Sequence, residues 1–135
     1  MNRLTVHVDT TSAVPAYEQI RAQVADLVLA GHLAEGDRLP PVRQLAADLG
    51  LAIATVARAY RELESAGMVK SRRGAGTRIT HPAHPGPVIG NELARAALDY
   101  VTTTRRMGAS DEQLLAAVRL TLAATPYVAE GEGGG

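Results

Sequence analysis

The sequence predicts a mainly α-helical chain with one short β-hairpin, and three observations carry that expectation. Apolar residues recur at helical spacing, as in Val42, Leu45, Ala46 and Leu49 and again in Val56, Ala59, Tyr60 and Leu63. The apolar mass is mostly Ala, Leu and Val with no Phe or Trp, which suits close-packed helices better than a thick sandwich. A single stretch, MVKSRRGAGTRIT, places two short β-prone runs on either side of a glycine-rich turn.

At 135 residues the chain is one domain, or one domain with a short appendix. The absence of cysteine excludes disulfides and thiolate metal sites, and gives no reason to expect export. The first residues carry no apolar signal core, and no apolar run approaches the length that spans a bilayer. The expectation is therefore a cytoplasmic protein with no membrane partner. Net charge is zero, but it is unevenly spread. Between Arg58 and Thr80, Arg58, Arg61, Lys70, Arg72, Arg73 and Arg78 face only Glu62 and Glu64. A basic face confined to one part of a chain is what a polyanion would recognise.

In chain order, Leu4, Val6 and Val8 alternate with polar residues and read as a short extended strand or arm. Thr10, Thr11 and Ser12 are turn material. Pro15 suits the first position of a helix, where its missing N–H costs nothing. Tyr17, Ile20, Val24, Leu27 and Val28 continue that helix to about Gly31, with Tyr17 read as core filler. Gly31 to Pro41 is a connector with a turn at Gly36-Asp37. Pro40-Pro41 enforces an extended approach to the next helix. That helix carries the Val42 stripe and stops at Gly50. The second stripe follows at once, behind an N-terminal turn of Ala52, Ile53, Ala54 and Thr55, and Gly67 closes it. Two short helices joined by a tight turn form a helix-turn-helix. Short side chains at the start of the second helix let its backbone sit deep in a major groove.

Met68, Val69, Thr77 and Ile79 read as the strands of a hairpin around Arg72, Arg73, Gly74, Ala75 and Gly76. A hairpin after a helix-turn-helix is a wing. Its glycines permit close approach to a surface, and its arginines attract phosphate or a narrow minor groove. The bland alternative is a solvated basic loop.

Residues 81–87, HPAHPGP, are a proline-rich linker. Its His81 and His84 lack Cys or carboxylate neighbours at ligand spacing, so no metal site is expected. Ile89, Leu93, Ala96, Ala97, Tyr100 and Met107 then form a helical stripe that ends at Gly108. Ser110 and Gln113 have capping-box spacing and start a last helix with an apolar face of Leu114, Leu115, Val118 and Leu122. Pro126 ends it, and the glycine-rich tail, 126–135, is expected to be flexible. Two such helices cannot bury both faces alone. The simplest use for a helical hairpin beyond a linker is dimerisation through Ile89, Leu93, Ala97, Tyr100, Leu114, Leu115, Val118 and Leu122. An intramolecular cap on the winged domain is the alternative. The expected architecture is a winged helix-turn-helix DNA-binding domain over 1–80, a linker over 81–87, a two-helix dimerisation region over 88–125 and a tail over 126–135.

The stretch from Gly31 to Ile79 resembles the GntR family of bacterial transcriptional regulators. The resemblance rests on Gly31 and Leu33, on Gly36-Asp37 with Leu39-Pro40, and on Arg43 with Leu45-Ala46. It continues through Thr55-Val56, Ala59-Tyr60, Leu63, Gly67 and Gly76-Thr77. The Ala59-Tyr60 pair and the short C-terminal region look like the YtrA subfamily. The resemblance implies a homodimeric repressor on a palindromic operator. It places DNA contacts on Arg43, on Ala52, Ile53, Ala54, Thr55 and Arg58 of the recognition helix, and on Arg72, Arg73, Gly74, Gly76 and Thr77 of the wing. Pro41 stands where the family usually has Ser, and Ala52 and Ile53 stand where it often has polar base readers. Specificity would then rest on Arg43, Thr55, Arg58 and methyl contacts to thymine. Fewer than sixty residues follow the wing, too few for the effector domains of larger members. A small-molecule effector, if there is one, would bind between the C-terminal helices or at the dimer interface.

Two other functional classes differ in how well the sequence fits them. A winged helix that binds protein rather than DNA is favoured by the apolar recognition turn. An enzyme is disfavoured: no Cys exists, no Ser sits in a nucleophile elbow, and RRGAG lacks the Lys-Ser/Thr and following helix of a phosphate loop. No cofactor is expected.

Overall fold

The computed structural model describes residues 4–80 and 90–125. The linker with His81 and His84, Ile89 and the tail from Pro126 lie outside the described residues. The chain divides into two compact units, Met1–Asn91 and Glu92–Gly135.

The first unit contains α1 (Ala16–Leu29), α2 (Val42–Leu49) and α3 (Ile53–Ser65), followed by β1 (Val69–Arg72) and β2 (Gly76–Ile79). Helix α3 packs against both α1 and α2 and leads into β1. Ile20, Val24, Leu39, Val56, Leu63, Val69 and Ile79 are the largest fully buried side chains; all but Leu39, which lies in the connector, come from the predicted helix stripes and hairpin strands. All are aliphatic, so each is stabilised by roughly 1.5–3 kcal/mol on leaving water. Helix α2 ends where Gly50 takes a left-handed φ of 68°, and Leu51 N–H then donates to the Ala46 carbonyl at 2.9 Å. A side chain with a Cβ resists that φ, so the tight turn between the two helices depends on glycine.

Some boundaries differ from expectation. Pro15 is the N-cap of α1 rather than its first helical residue, and Ala52 is the N-cap of α3. Each has extended ψ, which places it just outside the helix. The arm forms no strand. Val6 is buried, and Leu4 and Val8 pack against the same core, which explains the alternation. Its backbone is held by side chains. Gln23 accepts from His7 N–H at 3.0 Å and donates to the His7 carbonyl at 2.6 Å. Gln19, one turn earlier, does the same for Asp9 at 2.8 and 2.9 Å. Two glutamine amides thus stand in for a neighbouring strand. Asp9 also accepts from the Thr11 hydroxyl and N–H, which lowers its pKa.

The hairpin is antiparallel, with Val69 opposite Ile79 and Arg72 opposite Gly76. Arg72 is therefore the last strand residue, not part of the loop. The connector before α2 is also more ordered than a plain linker. Leu39 N–H donates to the Thr77 carbonyl, Ile79 N–H to the Asp37 carbonyl and Gly36 N–H to the Ile79 carbonyl, each at 2.8 Å. An isolated bridge pairs Arg38 with Arg78, so residues 36–39 lie along β2 as a third edge.

Helix α4 (Gly90–Arg106), which lies in the second unit from Glu92 onward, is joined to α5 (Asp111–Ala124) by a turn in which Gly108 has a φ of 87°. Ser110 caps α5 with the full capping box: Gln113 N–H donates to the Ser110 hydroxyl and Ser110 N–H to the Gln113 side chain. The Tyr100 hydroxyl donates to the Leu114 carbonyl at 2.9 Å, and Arg105 pairs with Asp111 across the turn. Leu114 is buried, whereas Leu115, Val118 and Leu122 are exposed.

Candidate nucleic-acid interface

The first turn of α3 is exposed at Ala52, Ile53 and Ala54 and half-buried at Thr55. Val56, Ala59, Tyr60 and Leu63 turn inward to α1 and α2, so the opposite face presents Ala54, Arg58 and Arg61. Ile53 is 50% exposed, a large apolar side chain standing in solvent at the head of a helix. Neither α2 nor α3 has a side-chain hydrogen bond at its N-cap, because Pro41 and Ala52 carry no acceptor. Their first-turn N–H groups and positive dipole ends are thus not occupied by a cap.

The start of α2 is fixed from within. Tyr60 is buried beneath it, and its hydroxyl donates to the Pro40 carbonyl at 2.7 Å. Burial pushes the phenol well above its ordinary range, so it remains a donor. That bond holds the extended Pro40-Pro41 segment, and with it the first turn of α2, where Arg43 is exposed.

Arg58 is not a free side chain. Its guanidinium lies over the Tyr17 ring, 3.8 Å from the centroid. Tyr17 is only half-buried and packs at the edge of the core, so the expectation of simple core filler misses half of its role. The wing presents Arg72, Arg73 and Gly74 to solvent. Ser71 and Thr77 share a hydrogen bond of 2.8 Å across the strands, and Ala75 N–H donates to the Arg72 carbonyl at 3.0 Å to close the tip. Arg38, which the sequence did not single out, donates from Nη2 to the Ala75 carbonyl at 2.9 Å.

All eleven residues expected to meet DNA lie in the first unit, and all but Thr55 and Thr77 are exposed. The residues expected at a dimer interface lie elsewhere. Leu93, Ala97, Leu115, Val118 and Leu122 are exposed, while Tyr100 and Leu114 serve the contact between α4 and α5. Leu98 and Leu120 are exposed leucines that the sequence stripes did not include. Among the described residues, no cluster of His, Cys, Asp or Glu could hold a metal ion, and no helix is long and apolar enough to cross a membrane.

The model of bacterial regulatory proteins of the gntR family matches residues 16–79, the span from the start of α1 to the end of the wing. The chain is 47% identical over 103 residues to the HTH-type transcriptional regulator Rv1152 of Mycobacterium tuberculosis, covering 76% of this chain and 82% of that one. It belongs to the gntR family. Its winged helix-turn-helix is therefore that of a DNA-binding transcriptional regulator. A second relative, the HTH-type transcriptional repressor YtrA of Bacillus subtilis, is 42% identical over 78 residues, 58% of this chain and 60% of the relative. The likeness to the YtrA branch of the gntR family thus holds in sequence. A crystal structure described as a transcriptional antiterminator from Listeria monocytogenes EGD-e shares the fold with a TM-score of 0.59 and 27% identity, over 97% of this chain and the whole of that one.

Proposed function

We propose that this gntR-family regulator is a cytoplasmic homodimeric repressor that reads a palindromic operator. The observation that carries the reading is the exposed start of α3, where Ala52 and Ala54 flank Ile53, with Arg43, Arg58 and the wing arginines also exposed. Ala52 and Ala54 let the helix approach base edges closely, and Ile53 offers an apolar contact to a thymine methyl. The uncapped starts of α2 and α3 favour a phosphate oxygen at each. Arg43, Arg58, Arg72 and Arg73 supply the charge that neutralises the backbone.

Dimerisation is supported by the second unit. Leu93, Leu98, Leu115, Val118, Leu120 and Leu122 are all at least 40% exposed on two helices. The same two helices of a second copy would cover them, and two-fold pairing would present two recognition helices to two half-sites. An effector would be received in the open cleft of about 350 Å³ beside Tyr100, Thr104, Met107 and Leu114, where α4 meets α5.

The test is to incubate the purified protein with a random pool of duplexes, sequence those retained, and measure its mass by sedimentation at two concentrations. The reading predicts an inverted repeat among the retained duplexes and a dimer. Exposed Ile53 favours one alternative, a winged helix that docks on protein. Failure to retain any duplex at low salt would support that alternative.

A further inference from the structure

The wing is short. Strands of four residues each make a two-stranded ribbon, which is marginal by itself in water. Its tip nevertheless has a defined position, because Arg38 holds it from the connector. The Nη2 of Arg38 donates to the Ala75 carbonyl at 2.9 Å, a contact between residues 37 positions apart. The same guanidinium lies across Gly76. A Cβ built on Gly76 would sit 3.3 Å from Arg38 Nε and 3.7 Å from Cζ. Gly76 also has a φ of 78°, a backbone conformation that side chains rarely adopt, so glycine there both permits the turn and leaves room for the arginine. Both backbone groups of Ala75 are held, its N–H by the Arg72 carbonyl and its carbonyl by Arg38. At the other end, the Arg38 backbone is fixed by the bridge to Arg78 and by Leu39 N–H donating to Thr77.

We infer that Arg38 is a positioning residue for DNA binding: it latches the wing tip to the segment that leads into α2, so that Arg72 and Arg73 meet the duplex from a preset place. The inference rests on the wing being a DNA-contacting element. Arg72 and Arg73 have no ion-pair partner among the described residues, so their placement depends on the strand and turn that carry them. A wing that swings freely must be ordered on binding, and that ordering weakens the complex. A planar guanidinium suits the latch because it can lie flat on Gly76 while one N–H reaches the carbonyl; a lysine ammonium keeps the charge but not that geometry.

The experiment compares wild type with Arg38→Lys, in the full-length protein, by two readouts. Without DNA, hydrogen exchange is measured at the Ala75 amide. On the tightest duplex recovered from the random pool, affinity is measured for both proteins and again in an Arg72→Ala/Arg73→Ala background. The latch predicts at least fivefold faster exchange at Ala75 with an unchanged melting temperature. It also predicts at least fivefold weaker binding for Arg38→Lys in the wild-type background and less than twofold in the Arg72→Ala/Arg73→Ala background. Unchanged exchange at Ala75 overturns the latch whether or not the protein binds DNA. Faster exchange with the same loss of affinity in both backgrounds overturns the positioning role, because Arg38 would then contact phosphate itself. If no duplex is retained by wild type, the DNA-binding reading fails while the exchange result still decides the latch.

Discussion

The guanidinium of Arg58, on the exposed face of α3, stacks on the ring of Tyr17 in the second position of α1. Stacking restricts a side chain that would otherwise sample many rotamers, and the attraction itself is worth about 0.5–1 kcal/mol at an exposed site. The ring is thus a platform that sets where one cation of α3 stands. Removing it with Tyr17→Ala is expected to weaken DNA binding several-fold, whereas Tyr17→Phe, which keeps the ring face, should stay within about twofold of wild type. Titration of a labelled duplex with each variant checks this. Equal losses for both variants would assign the effect to the hydroxyl instead.

Much of the fold is legible in the sequence because its determinants are local. The inward positions of α1, α2 and α3 follow from apolar spacing, the end of α2 from Gly50, and the start of α5 from Ser110 and Gln113. What the sequence conceals is side-chain work across distance. The hold of Arg38 on Ala75, the stacking of Arg58 on Tyr17 and the grip of Gln19 and Gln23 on the arm each join residues that no local pattern pairs. The same holds for residues 36–39, which read as a connector because their strand partner lies in the wing. The exposed leucines of α4 and α5 are a different case: the stripes are readable, but what covers them is not encoded in spacing.

Tyr60 links stability to pH. Its hydroxyl bonds the Pro40 carbonyl from a buried position, and burial raises the folded-state pKa above that of the unfolded chain. Its contribution is therefore complete below about pH 10, the unfolded value, and is lost as pH rises beyond it. Chemical denaturation from pH 7 to 11 is expected to show a decline above about pH 10 in wild type that is shallower in Tyr60→Phe. At pH 7 the variant should be less stable by about 1–2 kcal/mol, the cost of leaving the carbonyl unpaired.

The exposed apolar surface of α5 can be tested directly. Val118 is 40% exposed and Leu115 59%, so replacing both with Glu removes little of the protomer's own packing. By sedimentation at one concentration, wild type is expected to run as a dimer and Leu115→Glu/Val118→Glu as a monomer. Binding to a full inverted repeat should fall much more than binding to a single half-site.

Ile53 is expected to act on specificity rather than on folding. As an exposed residue at the head of α3, its change to Ser should alter stability by no more than about 0.5 kcal/mol. The duplexes selected by Ile53→Ser should lose a preference for thymine at one position in each half-site. An unchanged selection would remove Ile53 from the contact surface.

The central claim is that the exposed arginines of α2 and α3 grip a duplex through its phosphates. The most direct measurement is the affinity of wild type, Arg43→Ala and Arg58→Ala for one selected duplex across a range of salt concentrations. Wild-type binding should weaken steeply and linearly on a log–log scale, with a slope of about −0.9 for each phosphate neutralised. Each alanine variant should melt like wild type yet lose operator binding. Wild-type affinity in both variants, or a wild-type affinity indifferent to salt, would contradict the account.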